Sequence, residues 1–79
     1  MKIMNRISNY IDDKKIKIII QNNKIDIINY QDIVNFNDDL VIVKHEEGLI
    51  TIKGQELIVS RLLNKEILIT GVIKTIEFG

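Results

Sequence analysis

Residues 48–78 read GLITIKGQELIVSRLLNKEILITGVIKTIEF, and this stretch decides the fold. Ile50 and Ile52 fall on one side of the chain, Thr51 and Lys53 on the other. Alternation of period two is the mark of a strand with one buried face. Residues 66–70 repeat it, with Ile67 and Ile69 on a shared face. In the closing run Val72, Ile76 and Phe78 share one face, while Ile73, Thr75 and Glu77 take the other. Gly54-Gln55 and Asn64-Lys65 predict turns, with a strand over 56–62 between them. Gly71 falls inside a strand pattern, where a lone glycine signals a bulge or a close backbone approach. The expectation is that it lets one long strand bend.

The same reading extends toward the N-terminus. Strands are expected over 16–21 and 24–30, joined by Asn22-Asn23, a pair that tolerates the positive φ of a tight hairpin turn. A shorter strand follows over 32–36, then a turn at Asn37-Asp38-Asp39 and a strand over 40–45. Glu46-Glu47-Gly48 closes the next hairpin. Seven short strands with tight turns imply an antiparallel meander, because parallel crossovers need a dozen or more residues. The expected fold class is all-β, a single small antiparallel meander forming a sandwich or barrel-like roll. Its core would include Ile18, Ile50, Ile52, Leu57, Ile67, Ile69 and Phe78. Residues 1–13 read differently: Ile3, Met4, Ile7, Tyr10 and Ile11 recur at three- and four-residue spacing, which predicts one short N-terminal amphipathic helix. No linker or low-complexity tract divides residues 1–79, so a single domain is expected, with 1–13 as the helix and 15–79 as the β domain.

Composition narrows the function classes. The chain has 79 residues, of which 46% are hydrophobic, and β-branched Ile and Val suit a pleated sheet. Lys and Arg balance Asp and Glu at a formal net charge of zero, so no overall field draws nucleic acid or an anionic membrane. There is no Cys, which removes disulfides, thiolate chemistry and Cys-based zinc sites. The N-terminus lacks signal-peptide character, and apolar runs such as Ile18-Ile19-Ile20 are too short to span a bilayer. A cytoplasmic protein is expected.

Candidate chemistry is sparse. His45 is the single histidine, beside Glu46 and Glu47. A metal site needs three or four converging ligands, and no second His or any Cys exists to join it. The acidic pairs Asp12-Asp13, Asp38-Asp39 and Glu46-Glu47 all fall at predicted turns or ends, and turn chemistry accounts for Asp38-Asp39. Ser8 and Ser60 lie in no nucleophile-elbow setting. Gly48, Gly54 and Gly71 belong to no phosphate-cradling motif and are read as structural. No catalytic, cofactor-binding or metal-ligating residue is expected, and no cofactor.

Residues 48–78 also carry a resemblance. The sequence resembles the carboxyl half of the YabP/YqfC family of sporulation proteins, in its YqfC-like form. That family shows a G-x-L/I-x-I-x-G-x-x-L-x-I core, a charged turn, and a strand of the E-x-x-I-x-G-x-I type ending in an aromatic. The matching positions are Gly48, Ile50, Ile52, Gly54, Leu57, Val59, Glu66, Ile69, Gly71, Ile73 and Phe78. NYQDIVNFNDDLVIV ahead of them is similar to the family's hairpin-then-turn pattern, so the likeness covers roughly 17–78. The chain lacks the Pro that family members often carry before the first strand. The resemblance implies a role in endospore formation in Gram-positive bacteria, with expression in sporulating cells, and no catalytic residues. The function expected is a non-enzymatic β scaffold that binds protein partners of the sporulation machinery or self-associates. The alternative is a small β-barrel that binds nucleic acid through exposed aromatics and basic residues. A third reading is a peripheral membrane protein held by the N-terminal helix.

Overall fold

The computed structural model describes residues 15–79. The helix expected over 1–13 lies outside the described residues. Six strands follow one another: β1 (Lys17–Gln21), β2 (Lys24–Ile28), β3 (Asp32–Phe36), β4 (Leu40–His45), β5 (Gly48–Leu62) and β6 (Glu66–Phe78). All neighbours are antiparallel, in one sheet of order β1-β2-β6-β5-β4-β3. The turns at 22–23, 37–39, 46–47 and 64–65 fall where turn chemistry places them.

The spine is the long β5–β6 hairpin. β4 pairs with the first part of β5, from Gly48 to Lys53, and β2 pairs with the first part of β6, from Glu66 to Thr70. The two partners therefore attach at opposite ends of the hairpin. A straight β5 would hold those ends about 40 Å apart at ~3.3 Å per residue. Yet Asn29 N–H donates to Lys65 O at one end (2.6 Å), and Gln31 N–H donates to Lys44 O at the other (2.8 Å). Two residues of chain reach no more than about 7 Å. The hairpin is therefore bent back on itself, and the two halves of the sheet face each other across one core.

That core is a single cluster: Ile25, Ile27, Ile67 and Ile69 from one half, Val41, Val43, Ile50 and Ile52 from the other, with Leu57 between them. Eight of these nine are fully buried, which at about 1.5–3 kcal/mol per large aliphatic side chain makes their burial the main stabilising term. The bend is written into the β5–β6 ladder. Gln55 pairs with Val72 and Ile58 with Thr70, so Glu56 and Leu57 stand against Gly71 alone. The extra residue switches which alternate positions face inward, from Ile50 and Ile52 before it to Leu57 after it. Glu56 adopts φ 53° and Gly71 φ 131°. The turn between β3 and β4 clasps this site: Asp38 O accepts from Leu57 N–H (2.8 Å) and Asp39 O from Gly54 N–H (3.1 Å).

Several sequence expectations are corrected. Gly54-Gln55 is not a turn. Gly54 pairs with Ile73 and Gln55 with Val72, so the expected strands near 49–53 and 56–62 are one strand, and the count is six rather than seven. A glycine suits position 54 because an added Cβ would run into the Val72 carbonyl. The sheet is neither a closed barrel nor two separate sheets; it is one open sheet folded over. Asn22-Asn23 turns without positive φ, which the structure uses instead at Asn29 (73°) as β2 ends. Phe78 is 63% exposed rather than core. It pairs with buried Ile50, but among the described residues its strand there has no neighbour on the other side. Ile18, on edge strand β1, is half-buried and packs on the margin of the core.

Candidate functional site

His45 ends β4, half-buried, and its Nδ1 accepts the Glu47 N–H at 3.3 Å. This local bond tightens the hairpin turn. His45, Glu46 and Glu47 line a hollow of about 230 Å³ together with Lys15 and Ile16. Glu46 and Glu47 are exposed, and opposite charge from Lys15 faces the same hollow. Asp38 and Asp39 are exposed and act through backbone carbonyls. Ser60 shares a hydroxyl–hydroxyl hydrogen bond with Thr70. Asp12-Asp13 and Ser8 lie outside the described residues. The structure does not bring His45, Asp38-Asp39 and Ser60 together, and no three His, Asp or Glu side chains among the described residues converge as metal ligands.

One polar cluster has no counterpart in the sequence reading. On the outer face of the sheet, Asp26 of β2 and Glu66 of β6 sit diagonally across adjacent strands, since Asp26 pairs with Leu68 and Ile28 with Glu66. Arg61 reaches both, at 3.3 Å from Glu66 and 3.9 Å from Asp26. Asp26 Oδ1 is buried with no partner. A hydrogen bond to Asp26 raises the Glu66 pKa above the ordinary Glu range. Lost hydration and the Asp26 charge add to that rise, and Arg61 opposes it. Asp26 alternates with Ile25 and Ile27, which marks it as outward-facing; its meeting with Glu66 depends on a pairing forty residues distant.

The remaining candidate surface is the set of strand edges. Unpaired N–H and C=O groups on an edge can add a further strand. Among the described residues, β1 and β3 end the sheet. Within the described residues, 72–78 of β6 and 58–62 of β5 also lack a second neighbour, because β2 and β4 stop short of them. Three of these edges carry features that blunt strand addition. The β6 edge contains Lys74 and Glu77, with Lys74 an extra residue between the Thr75↔Lys53 and Ile73↔Gly54 pairs. The β5 edge contains Arg61, with Ser60 extra before it. The β3 edge opens on Asp32 and has Val34 as its extra residue.

β1 is different. Its five pairs with β2 run from Lys17↔Ile28 to Gln21↔Lys24 without a shift. Its interior is Ile18-Ile19-Ile20, apolar on both faces, with Ile19 49% and Ile20 56% exposed. On the outer side of the bend, Ile58, Thr70 and Val72 floor an open hollow of about 510 Å³ rimmed by Asn23, Lys24 and Glu56. No helix among the described residues is long and apolar enough to cross a membrane.

No curated protein and no solved structure matches the chain. The model of the YabP family matches residues 12–79, which takes in every strand, both ends of the bent hairpin and the apolar β1 edge. With most of its length inside that match, the chain belongs to the YabP family.

Proposed function

We propose that the chain is a non-enzymatic β scaffold of endospore formation, acting inside sporulating cells by docking a protein along a strand edge. The observation that carries this reading is the β1 edge: regular, uncharged in its interior and apolar on both faces, while the other three edges are bulged and charged. Membership of the YabP family supports the developmental setting. The nucleic-acid reading draws less support. Exposed Phe36 lies on β3 and exposed Phe78 on β6, at opposite margins of the half-sheet that β5 and β4 fill, so they form no shared stacking platform.

The test is complementation of a spore-forming host that lacks the gene. His45→Gln should restore spores to the wild-type level. Ile19→Lys, at equal protein abundance, should lower spore yield by about tenfold or more, because a charge on an edge blocks strand addition. If His45→Gln abolished sporulation and Ile19→Lys were tolerated, a small-molecule or metal site at His45 would replace the scaffold reading. Salt-sensitive retention on immobilised nucleic acid would favour the alternative.

A further inference from the structure

We infer that the β1 edge is a self-pairing surface: two copies of this chain join through antiparallel β1 strands about a two-fold axis at Ile19, making one continuous twelve-stranded sheet. The inference rests on the edge-docking reading above and names the occupant.

Its basis is that β1 is complementary to itself. In an antiparallel pair, directly opposed residues lie on the same face of the sheet. With the axis at Ile19, Ile19 opposes its own copy on the outer face. Ile18 opposes the partner's Ile20 on the inner face, and Ile20 the partner's Ile18. On β1 the inner face is the one shared with buried Ile25 and Ile27, since Ile18 pairs with Ile27 and Ile20 with Ile25. Self-pairing therefore extends the core layer by a row of Ile and covers Ile20, which is now 56% exposed at its margin. Both faces match at once, which a partner of arbitrary sequence would not ensure.

Charge selects the orientation. Lys17 stands at one end of β1 and Gln21 at the other, with Lys15 just before the strand. Parallel pairing of two copies would set each Lys17 beside its equivalent. The antiparallel arrangement places Lys17 against the partner's Gln21 and sends the two Lys-bearing ends to opposite sides. The edge carries no bulge and no interior charge to prevent the match. A closed two-fold pair also consumes the edge, so assembly stops at two.

The test measures the mass of the full chain by sedimentation and native mass spectrometry over a wide concentration range. Wild type should shift from one chain mass to two. Ile19→Lys sets two like charges opposite each other at the axis and should weaken the dimer by more than about tenfold. Ile19→Glu should do the same, and an equimolar mixture of the two variants should recover a heterodimer. Ile58→Lys, at a comparably exposed position on β5, should leave the dimer unchanged. Circular dichroism establishes that each variant is folded. Ile19→Cys adds a covalent readout: in a Cys-free chain, an added thiol oxidant should link two copies through a disulfide at the axis.

A wild-type chain that stays monomeric, or a dimer indifferent to both charge variants, overturns the self-pairing. Monomeric wild type with spore loss on Ile19→Lys overturns it too, yet leaves edge docking standing with a different protein. A dimer that Ile19→Lys dissociates without affecting spores supports the self-pairing and removes the docking role instead.

Discussion

Gly71→Ala is the substitution whose cost the structure specifies most directly. Gly71 adopts φ 131°, a conformation that L side chains rarely enter. An added Cβ would lie 2.5 Å from Glu56 O and 3.0 Å from Leu57 Cα. Both neighbours are backbone, and both belong to the bulge that bends β5. Holding alanine in a sparsely populated backbone region costs about 1–3 kcal/mol. Relieving an overpacked contact of this kind adds about 1–3 kcal/mol. Reduced freedom of the unfolded chain returns about 0.4–1 kcal/mol. The net expectation is a loss centred on about 3 kcal/mol, against a total of about 4–12 kcal/mol for a domain of this size. The midpoint of thermal unfolding should fall by ~10 °C or more. Urea titration followed by circular dichroism measures the loss. Gly79→Ala is the matched control, because nothing lies within 4 Å of a Cβ there, and it should change stability by less than about 0.5 kcal/mol. A Gly71→Ala protein within that same margin would refute the idea that this glycine permits the bend.

The other expectations concern the core and the outer-face acids. Ile52→Ala, at a fully buried position, should cost about 2–5 kcal/mol, whereas Phe78→Ala, at a side chain 63% exposed, should cost under about 1 kcal/mol in the same titration. Glu66 has a folded-state pKa above its unfolded one, so the native state holds its proton more tightly. Its favourable contribution is present at low pH and fades as pH rises from the ordinary Glu range through the raised value. Glu66→Gln removes that dependence. Its stability relative to wild type should therefore climb as pH rises through this window, and a difference independent of pH would exclude the raised Glu66 pKa. Because Gln also gives up the charge that pairs with Arg61, the slope rather than the absolute difference is the readout.

Much of the β character was legible without coordinates, because the signals are local. Alternation at Ile50 and Ile52, and again at Ile67 and Ile69, needs only a period of two, and all four are buried. Asn22-Asn23, Asp38-Asp39, Glu46-Glu47 and Asn64-Lys65 all fall at turns, as local residue preferences for tight turns indicate. The order of motifs over residues 48–78 carried the family. Tertiary structure alone decided what those strands do together. Nothing local places β2 beside β6, forty residues away, and that pairing creates the Asp26–Glu66–Arg61 cluster. Gly54 looked like a turn because glycine serves turns and close backbone approaches alike, and only the neighbouring Val72 carbonyl distinguishes them. Phe78 has the inward parity of a core residue, but burial also requires a strand on its far side. The apolar β1 edge follows the same logic: Ile18-Ile19-Ile20 is visible in the sequence, while its position at the end of the sheet is set by which strands pair, a non-local outcome that alternation and turn chemistry do not encode.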